Sequence, residues 1–311
     1  MALRQWMVIH DWMVKPTPQT EWIERRGILV WIAEVFTALG AGLYLVSLFY
    51  NNWWGMVAGW CIIMFLKIPL HLIYFGKPLR FWRTLIPITD AWKTSWFTRG
   101  INFNIYFGTF AFFQIVVAYF AVYFFPGTVW GIWDIVLRVI SGIFAFLVGI
   151  YSGFIMSYCK SVPFWNTAMM PIILLIAGIG DGFALMLAIG LADHQVNILA
   201  IEFGSRILLI VNALLIASFV WNATYVSKTA KYSSMLLLKG NLATPFWVGI
   251  VICGIIIPLA ISISSIFTGE VAVLLIIAIV FHTVGAIALK YVLLKAGVHN
   301  PILPVTTSSY H

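Results

Sequence analysis

The sequence predicts an all-α fold, a polytopic membrane protein with eight transmembrane helices. Three observations carry this. Of 311 residues, 62% are hydrophobic and only 9% are charged, whereas soluble domains run near one quarter charged. The apolar residues fall into eight continuous runs, each long enough to take a helix across about 30 Å of hydrocarbon. In lipid every backbone N–H and C=O needs an internal partner, which only helices and closed barrels supply. A barrel would show alternating segments of about ten residues, and these runs are continuous.

In chain order, residues 1–27 come first. Arg4, Asp11 and Lys15 interrupt Trp6, Met7, Val8, Ile9, Trp12 and Met13, a stretch too short and too polar to span and unlike a signal peptide. An interfacial helix is expected there, broken by Pro16 and Pro18. Glu24, Arg25 and Arg26 then introduce the first span, 28–50. The turn NNWW leads to the second, 54–76, and a long basic loop to the third, 101–125. FPGTVWG separates the third from the fourth, 131–157; ADHQV separates the fifth, 166–192, from the sixth, 197–227. TGE joins the seventh, 244–267, to the eighth, 271–296.

The charges sort by side. Loops on the N-terminal side hold Arg4, Lys15, Arg25, Arg26, Lys77, Arg80, Arg83, Lys93, Arg99, Lys160, Lys228, Lys231 and Lys239, with Lys290 and Lys295 at the closing end. The opposite loops hold no Lys or Arg and carry Asp193 and Glu270. By the positive-inside rule both termini are expected in the cytoplasm. The formal charge of +8 then reports topology rather than nucleic-acid binding; the alternative is a basic face that docks an acidic partner subunit.

Several chemistries lack support. Cys61, Cys159 and Cys253 are far apart, so neither a CxxC zinc pattern nor a four-cysteine cluster set is present. A b-type haem needs two histidines at one depth, but His71 falls near the cytoplasmic end of the second span and His282 near the middle of the eighth. No GxxxxGK, HExxH or GxSxG pattern occurs.

Ionisable residues inside a membrane cost about 2.5 to 3.5 kcal/mol each even on lenient scales, so each is a candidate functional group. Toward the cytoplasmic end lie Glu34, Lys67, His71, Asn102, Asn104, Tyr106 and Tyr151. Glu34 and Lys67 are expected at similar depth, placed either to pair across adjacent helices or to hydrogen-bond a polar head group. Toward the outer half lie Asp134 with Arg138 and Glu202 with Arg206, with Asp181 and His282 near the middle. The i,i+4 spacing puts each pair on one helix face, which suits either helix-locking ion pairs or a part in proton movement. Lone His282 and Asn212 suit interhelical hydrogen bonding. Such a pattern fits a quinone-reactive module, where carboxylate, phenol and imidazole exchange protons. It also fits a proton-coupled secondary transporter, although the in-span prolines Pro69, Pro171 and Pro258 do not sit in evidently matched positions.

The stretch HLIYFGKPLRFWRTL (71–85) followed by SWFTRG (95–100) resembles the membrane-subunit family of polysulfide reductase and its relatives, NrfD/PsrC. LGAGLYL (39–45), GIYSGFIMS (149–157), VPFWNTAMMP (162–171) and GAIALKYVLLKAG (285–297) extend the resemblance, in order, over nearly the whole sequence. It implies two four-helix bundles, 28–160 and 161–311, after the interfacial segment 1–27. It implies a bound menaquinone or ubiquinone, with no haem and no iron–sulfur cluster in this chain, in a prokaryotic cytoplasmic membrane. It also implies an iron–sulfur electron-transfer subunit and a catalytic subunit, commonly a molybdopterin enzyme. Carried over, the quinone site falls on Glu34, His71 and Tyr151 with Lys67 nearby; some relatives have His where Glu34 aligns.

The expected protein is therefore a quinone-binding membrane anchor of a multisubunit oxidoreductase, with a stand-alone proton-coupled transporter as the alternative. Asp134, Arg138, Asp181, Glu202 and Arg206 form the expected proton route. In the polysulfide reductase branch the iron–sulfur subunit sits outside the cell, whereas the charge bias here places the equivalent face inside. Lys77, Arg80, Arg83, Lys93 and Arg99 are expected to dock cytoplasmic partners.

Overall fold

The structure, a computed structural model, describes residues 11–76, 90–124, 130–193, 196–269 and 271–303. Among them eight helices are long and apolar enough to cross a membrane, numbered here as spans 1 to 8: Arg25–Phe49, Trp53–Phe75, Trp96–Ala121, Gly131–Ser157, Met169–Gly190, Ile198–Val226, Pro245–Thr268 and Ala272–Lys295. The protein is a multi-pass membrane protein. Two helix starts differ from those the sequence predicts, for local reasons. Span 3 begins near residue 96 because the Ser95 hydroxyl accepts from the Thr98 N–H at 3.3 Å, supplying one orphan donor of the first turn. Span 5 begins at Met169 because residues 162–167 turn, with Trp165 N–H donating to Val162 O at 3.0 Å.

Prolines shape two spans. Span 2 is α-helical over Trp53–Cys61, π-helical over Ile62–Lys67 and α-helical again over Ile68–Phe75. Pro69 has no N–H, and its ring crowds the carbonyl one turn back; the wider π turn relieves that conflict. Span 7 repeats the device, π-helical over Pro245–Ile256 and α-helical over Ile257–Thr268 with Pro258 in its first turn.

Spans 1 to 4 share an apolar cluster built on Ala41, Tyr44, Met56, Phe107, Ala145 and Val148. A second cluster joins spans 5, 6, 7 and 8 on the basic side through Met170, Ile173, Phe219, Ile250 and Leu293. Span 1 crosses span 5 at backbone contact: a Cβ built on Gly42 would lie 1.8 Å from the Gly178 carbonyl oxygen, and one on Gly182 would lie 2.2 Å from the Gly42 carbonyl carbon. Lipid offers no hydrophobic drive between helices, so close backbone approach through small residues is what holds such a crossing.

Both ends are tied. On the acidic side Asn52 caps span 2, accepting from Gly55 N–H at 2.8 Å, and donates to Asp193 Oδ2 at 3.1 Å. On the basic side β1 (Thr17–Pro18) pairs antiparallel with β2 (Val298–His299). Gln19 donates through its side chain to Leu294 O at 3.0 Å, Lys295 pairs with Glu24, and Trp22 stacks on Trp165 at 5.2 Å. Within the segment expected to lie at the interface, residues 17–24 are thus bound to the end of span 8. Lys290, assigned from the sequence to the basic closing end, is instead inside span 8 and 3% exposed; its aliphatic neighbours continue past it to Lys295, so the helix carries it below the surface.

Candidate functional site

The basic ends of spans 1, 2, 3 and 4 and the segment before span 1 surround a cavity of about 210 Å³. Its lining includes Glu34 from span 1, His71, Tyr74 and Phe75 from span 2, Phe97 from span 3, and Tyr151, Ser152 and Met156 from span 4. Trp22 closes one side and Leu294 of span 8 contributes another. A smaller adjoining space of about 70 Å³ shares His71, Phe75, Phe97 and Tyr151 and adds Lys67 and Asn104. The four residues expected from the sequence, Glu34, Lys67, His71 and Tyr151, are therefore brought together, and a mostly aromatic and aliphatic wall surrounds their polar atoms.

Each polar group is held by the helix geometry. Lys67 ends the π turn of span 2 and is 2% exposed. Its ammonium donates to Asn104 Oδ1 of span 3 and lies 5.1 Å from the centre of the Tyr151 ring, a cation–π distance. The sequence allows Lys67 to pair with Glu34; the two do stand in one another's field, and the hydrogen bond of the Lys67 side chain goes to Asn104 of span 3. Asn104 is fixed in turn, its amide donating to Gly100 O at 2.7 Å. Gly100 is required here, since a Cβ would lie 2.1 Å from Tyr151 Cδ2. The Glu34 carboxylate faces the Ser152 hydroxyl and stands in the field of both Lys67 and Lys290. His71 Nδ1 is 3.4 Å from Lys67 O, which leaves the other ring nitrogen for a ligand. The cavity can thus offer a carboxylate, an imidazole and a phenol to a flat polar ligand.

A second polar centre lies deeper. Asp181 of span 5 binds two side chains of span 8, with Oδ1 3.1 Å from His282 Nε2 and Oδ2 2.6 Å from Lys290 Nζ. His282 also borders a void of about 20 Å³ lined by Glu202, Ser205 and Ser262. That volume admits about one water, with polar partners on several sides. Glu202 accepts from Ser265 Oγ at 2.5 Å, while Arg206 donates to Ser262 Oγ at 3.1 Å and to Ser262 O at 2.6 Å. Glu202 and Arg206 are only 4.0 Å apart: each reaches across to span 7, and the expected pair within span 6 is the looser contact.

Asp134 and Arg138 are set apart from both centres. Arg138 Nε donates to Asp134 Oδ2 at 2.6 Å, Gln114 donates to Asp134 Oδ1 at 3.1 Å, and the Tyr44 hydroxyl joins Gln114 (3.0 Å) and Ser141 (2.9 Å). This closed set fastens spans 1, 3 and 4.

Of the residues expected to dock partners, Lys77, Arg80 and Arg83 lie outside the described residues. Lys93 is exposed on the short helix Asp90–Thr94, 3.9 Å from Asp90. Arg99 serves its own segment, donating to Trp92 O at 2.9 Å and Lys93 O at 2.6 Å and covering the Trp96 ring. Among the described residues no three His, Cys, Asp or Glu side chains converge as a metal site requires. Sequence reasoning missed Trp22, Ser152 and Lys290 as members of these centres; Lys290 interrupts an apolar run, but so close to Lys295 that it reads as a surface group.

Comparison with known proteins adds to this geometry. The family model described as polysulphide reductase, NrfD, matches residues 26–301. The C subunit of polysulfide reductase from Wolinella succinogenes is 28% identical over 172 residues, 52% of the present sequence and 53% of that protein. Protein NrfD homolog of Haemophilus influenzae is 27% identical over 171 residues, 52% of each of the two sequences. The aligned region spans about half the length of these curated relatives.

Proposed function

Because the chain belongs to the NrfD polysulphide reductase family, we propose that it is the quinone-binding membrane anchor of a multisubunit oxidoreductase, passing electrons between a partner's iron–sulfur cluster and the menaquinone or ubiquinone pool. The observation that supports this most is the convergence of Glu34, His71 and Tyr151 on one cavity at the basic end of spans 1, 2 and 4. The residues fit a quinone head group: aromatic and aliphatic walls for the ring, with polar atoms concentrated on few sides.

A quinone, when bound, supplies two-electron, two-proton chemistry at its carbonyl oxygens. The Tyr151 hydroxyl donates a hydrogen bond to such an oxygen and sets the orientation of the ring, while His71, whose Nδ1–H faces Lys67 O, presents Nε2 as the acceptor for the hydroxyl of the reduced head group. Glu34 is the proton-exchanging group, its carboxylate steadied by Ser152. Lys67, fixed by Asn104, stands behind Tyr151, where a proton on its amine would favour a ligand that gains negative charge. Trp22 and Phe97 keep bulk water from the polar atoms, where electrostatic effects are correspondingly stronger.

Protons leaving Glu34 have an onward path in the second half of the protein. It runs through Lys290 and Asp181 to His282, across the water-sized void to Glu202 and Arg206, and so toward the opposite side. Asp134 and Arg138, closed among Tyr44, Gln114 and Ser141, lock helices. The partner subunits, an iron–sulfur protein and a molybdopterin enzyme, sit on the basic face at Lys93 and its neighbours, in the cytoplasm.

The test is quinone retention by the detergent-purified full-length protein. The wild type is expected to carry about one extractable quinone per molecule, and His71→Ala or Tyr151→Phe to lose about tenfold in affinity, the value of one to two hydrogen bonds. A protein that comes out without quinone and takes none up when it is added sinks this reading.

A further inference from the structure

A large groove belongs to neither polar centre. It lies between spans 6 and 7 on the basic side, has a volume of about 640 Å³, and is lined by Ala213, Ala217, Trp221, Tyr225, Lys231 and Trp247 among others. From Ala213 to Tyr225 it follows span 6 for about 18 Å, at about 1.5 Å per residue. That matches one leaflet, half of a hydrocarbon core about 30 Å thick. The two alanines keep its floor low, and the π-helical part of span 7 forms the facing wall.

The mouth has a different chemistry. The surface helix Lys228–Leu238 follows span 6 directly, and Lys228 and Lys231 stand one turn apart on it. The sequence contains no Asp or Glu between Glu202 and Glu270. The ion pairs among the described residues leave Lys228, Lys231 and Lys239 out. Trp221 and Tyr225 are 69% and 72% exposed beside this mouth, and such rings settle at the level of lipid head groups. Trp247 is held as a side wall, its indole N–H donating to Leu238 O at 3.2 Å. Among the described residues that line the groove, Lys231 is the charged one, so the groove is an acyl-sized slot with a cationic mouth.

We propose that this groove binds one anionic phospholipid, its acyl tail along Ala213 and Ala217 and its phosphate at Lys231, with Lys228 adding positive potential. A quinone is uncharged and gains nothing from the lysines; a zwitterionic lipid carries its own cation to the same place. Charge complementarity therefore selects the anionic head group.

Native mass spectrometry of the full-length protein in detergent tests this, with phosphatidylglycerol and phosphatidylcholine of equal acyl length titrated separately. Phosphatidylglycerol is expected to be retained about fivefold or more over phosphatidylcholine, the effect of one lysine near an anionic head group. Lys231→Glu and the milder Lys231→Gln should bring the two lipids level without changing phosphatidylcholine retention, and Ala217→Trp should reduce both. Equal retention by the wild type, or unchanged preference in both Lys231 variants, overturns the proposal. So does displacement of bound phosphatidylglycerol by added ubiquinone or by the other subunits of the complex. A protein that fails here and still retains its cavity quinone loses the lipid site alone.

Discussion

Lys290 is 3% exposed, 2.6 Å from Asp181, and within the field that reaches Glu34. Removing one member of a buried ion pair strands the other, at a cost of about 3–5 kcal/mol, whereas replacing both by apolar or neutral groups is often close to neutral. Lys290→Met is therefore expected to lower the thermal stability of the detergent-solubilised protein strongly, and Asp181→Asn combined with Lys290→Met to recover most of the loss. A double mutant as unstable as the sum of the single ones would show that the two residues act independently. This pair also shows what the sequence withheld. Asp181 stood out as a carboxylate in an apolar run, but Lys290 sits five residues before Lys295, and a lysine so near a helix end reads as a surface group. Only the packing of span 8 against span 5 decides its depth. Lys67 presents the reverse case: its burial and its closeness to Glu34 were legible, whereas its hydrogen bond to Asn104 depends on how span 3 packs against span 2.

The elements were mostly readable, since runs of about 20 apolar residues leave a polypeptide in lipid few alternatives. Their starts were less so, because capping and turns move them: Ser95 lengthens span 3, and the turn at 162–167 shortens span 5. The π-helical stretches were not legible at all, although each is followed by a proline. How elements meet is set by small residues. The crossing of spans 1 and 5 brings the Gly178 carbonyl against Gly42 and leaves no room for a side chain at Gly42 or Gly182, so Gly182→Leu forces the helices apart and costs them their contact area. The expected result is a protein that fails to elute as a single species after detergent extraction, while Gly131→Leu, at a glycine with open space around it, elutes normally. Equal behaviour of the two variants would mean that the crossing does not hold the spans together.

At the scale of the whole molecule, the charges divide into a basic face and a short series of buried groups between that face and the opposite one. If the basic face is cytoplasmic, a reporter active only inside the cell is active when fused at Lys239 and silent in the Asp193 loop; the opposite pattern inverts the molecule and moves its partners outside. Under the proposed function the buried series would link redox turnover to the membrane potential, each charge moved being worth about 2.3 kcal/mol per 100 mV. Glu202→Gln is expected to lower the charge translocated per electron while electron transfer to the quinone continues. Unchanged translocation would remove Glu202 from the route. All of this depends on what occupies the cavity beside Glu34, His71 and Tyr151. Its most direct measurement is covalent labelling of the full-length protein by a photoreactive quinone analogue, with the modified peptides identified by mass spectrometry. Labelling confined to the segments holding Trp22, His71, Phe97 and Tyr151, and abolished by excess menaquinone or ubiquinone, is the predicted result; labelling spread over the lipid-facing helices and indifferent to competitor would contradict it.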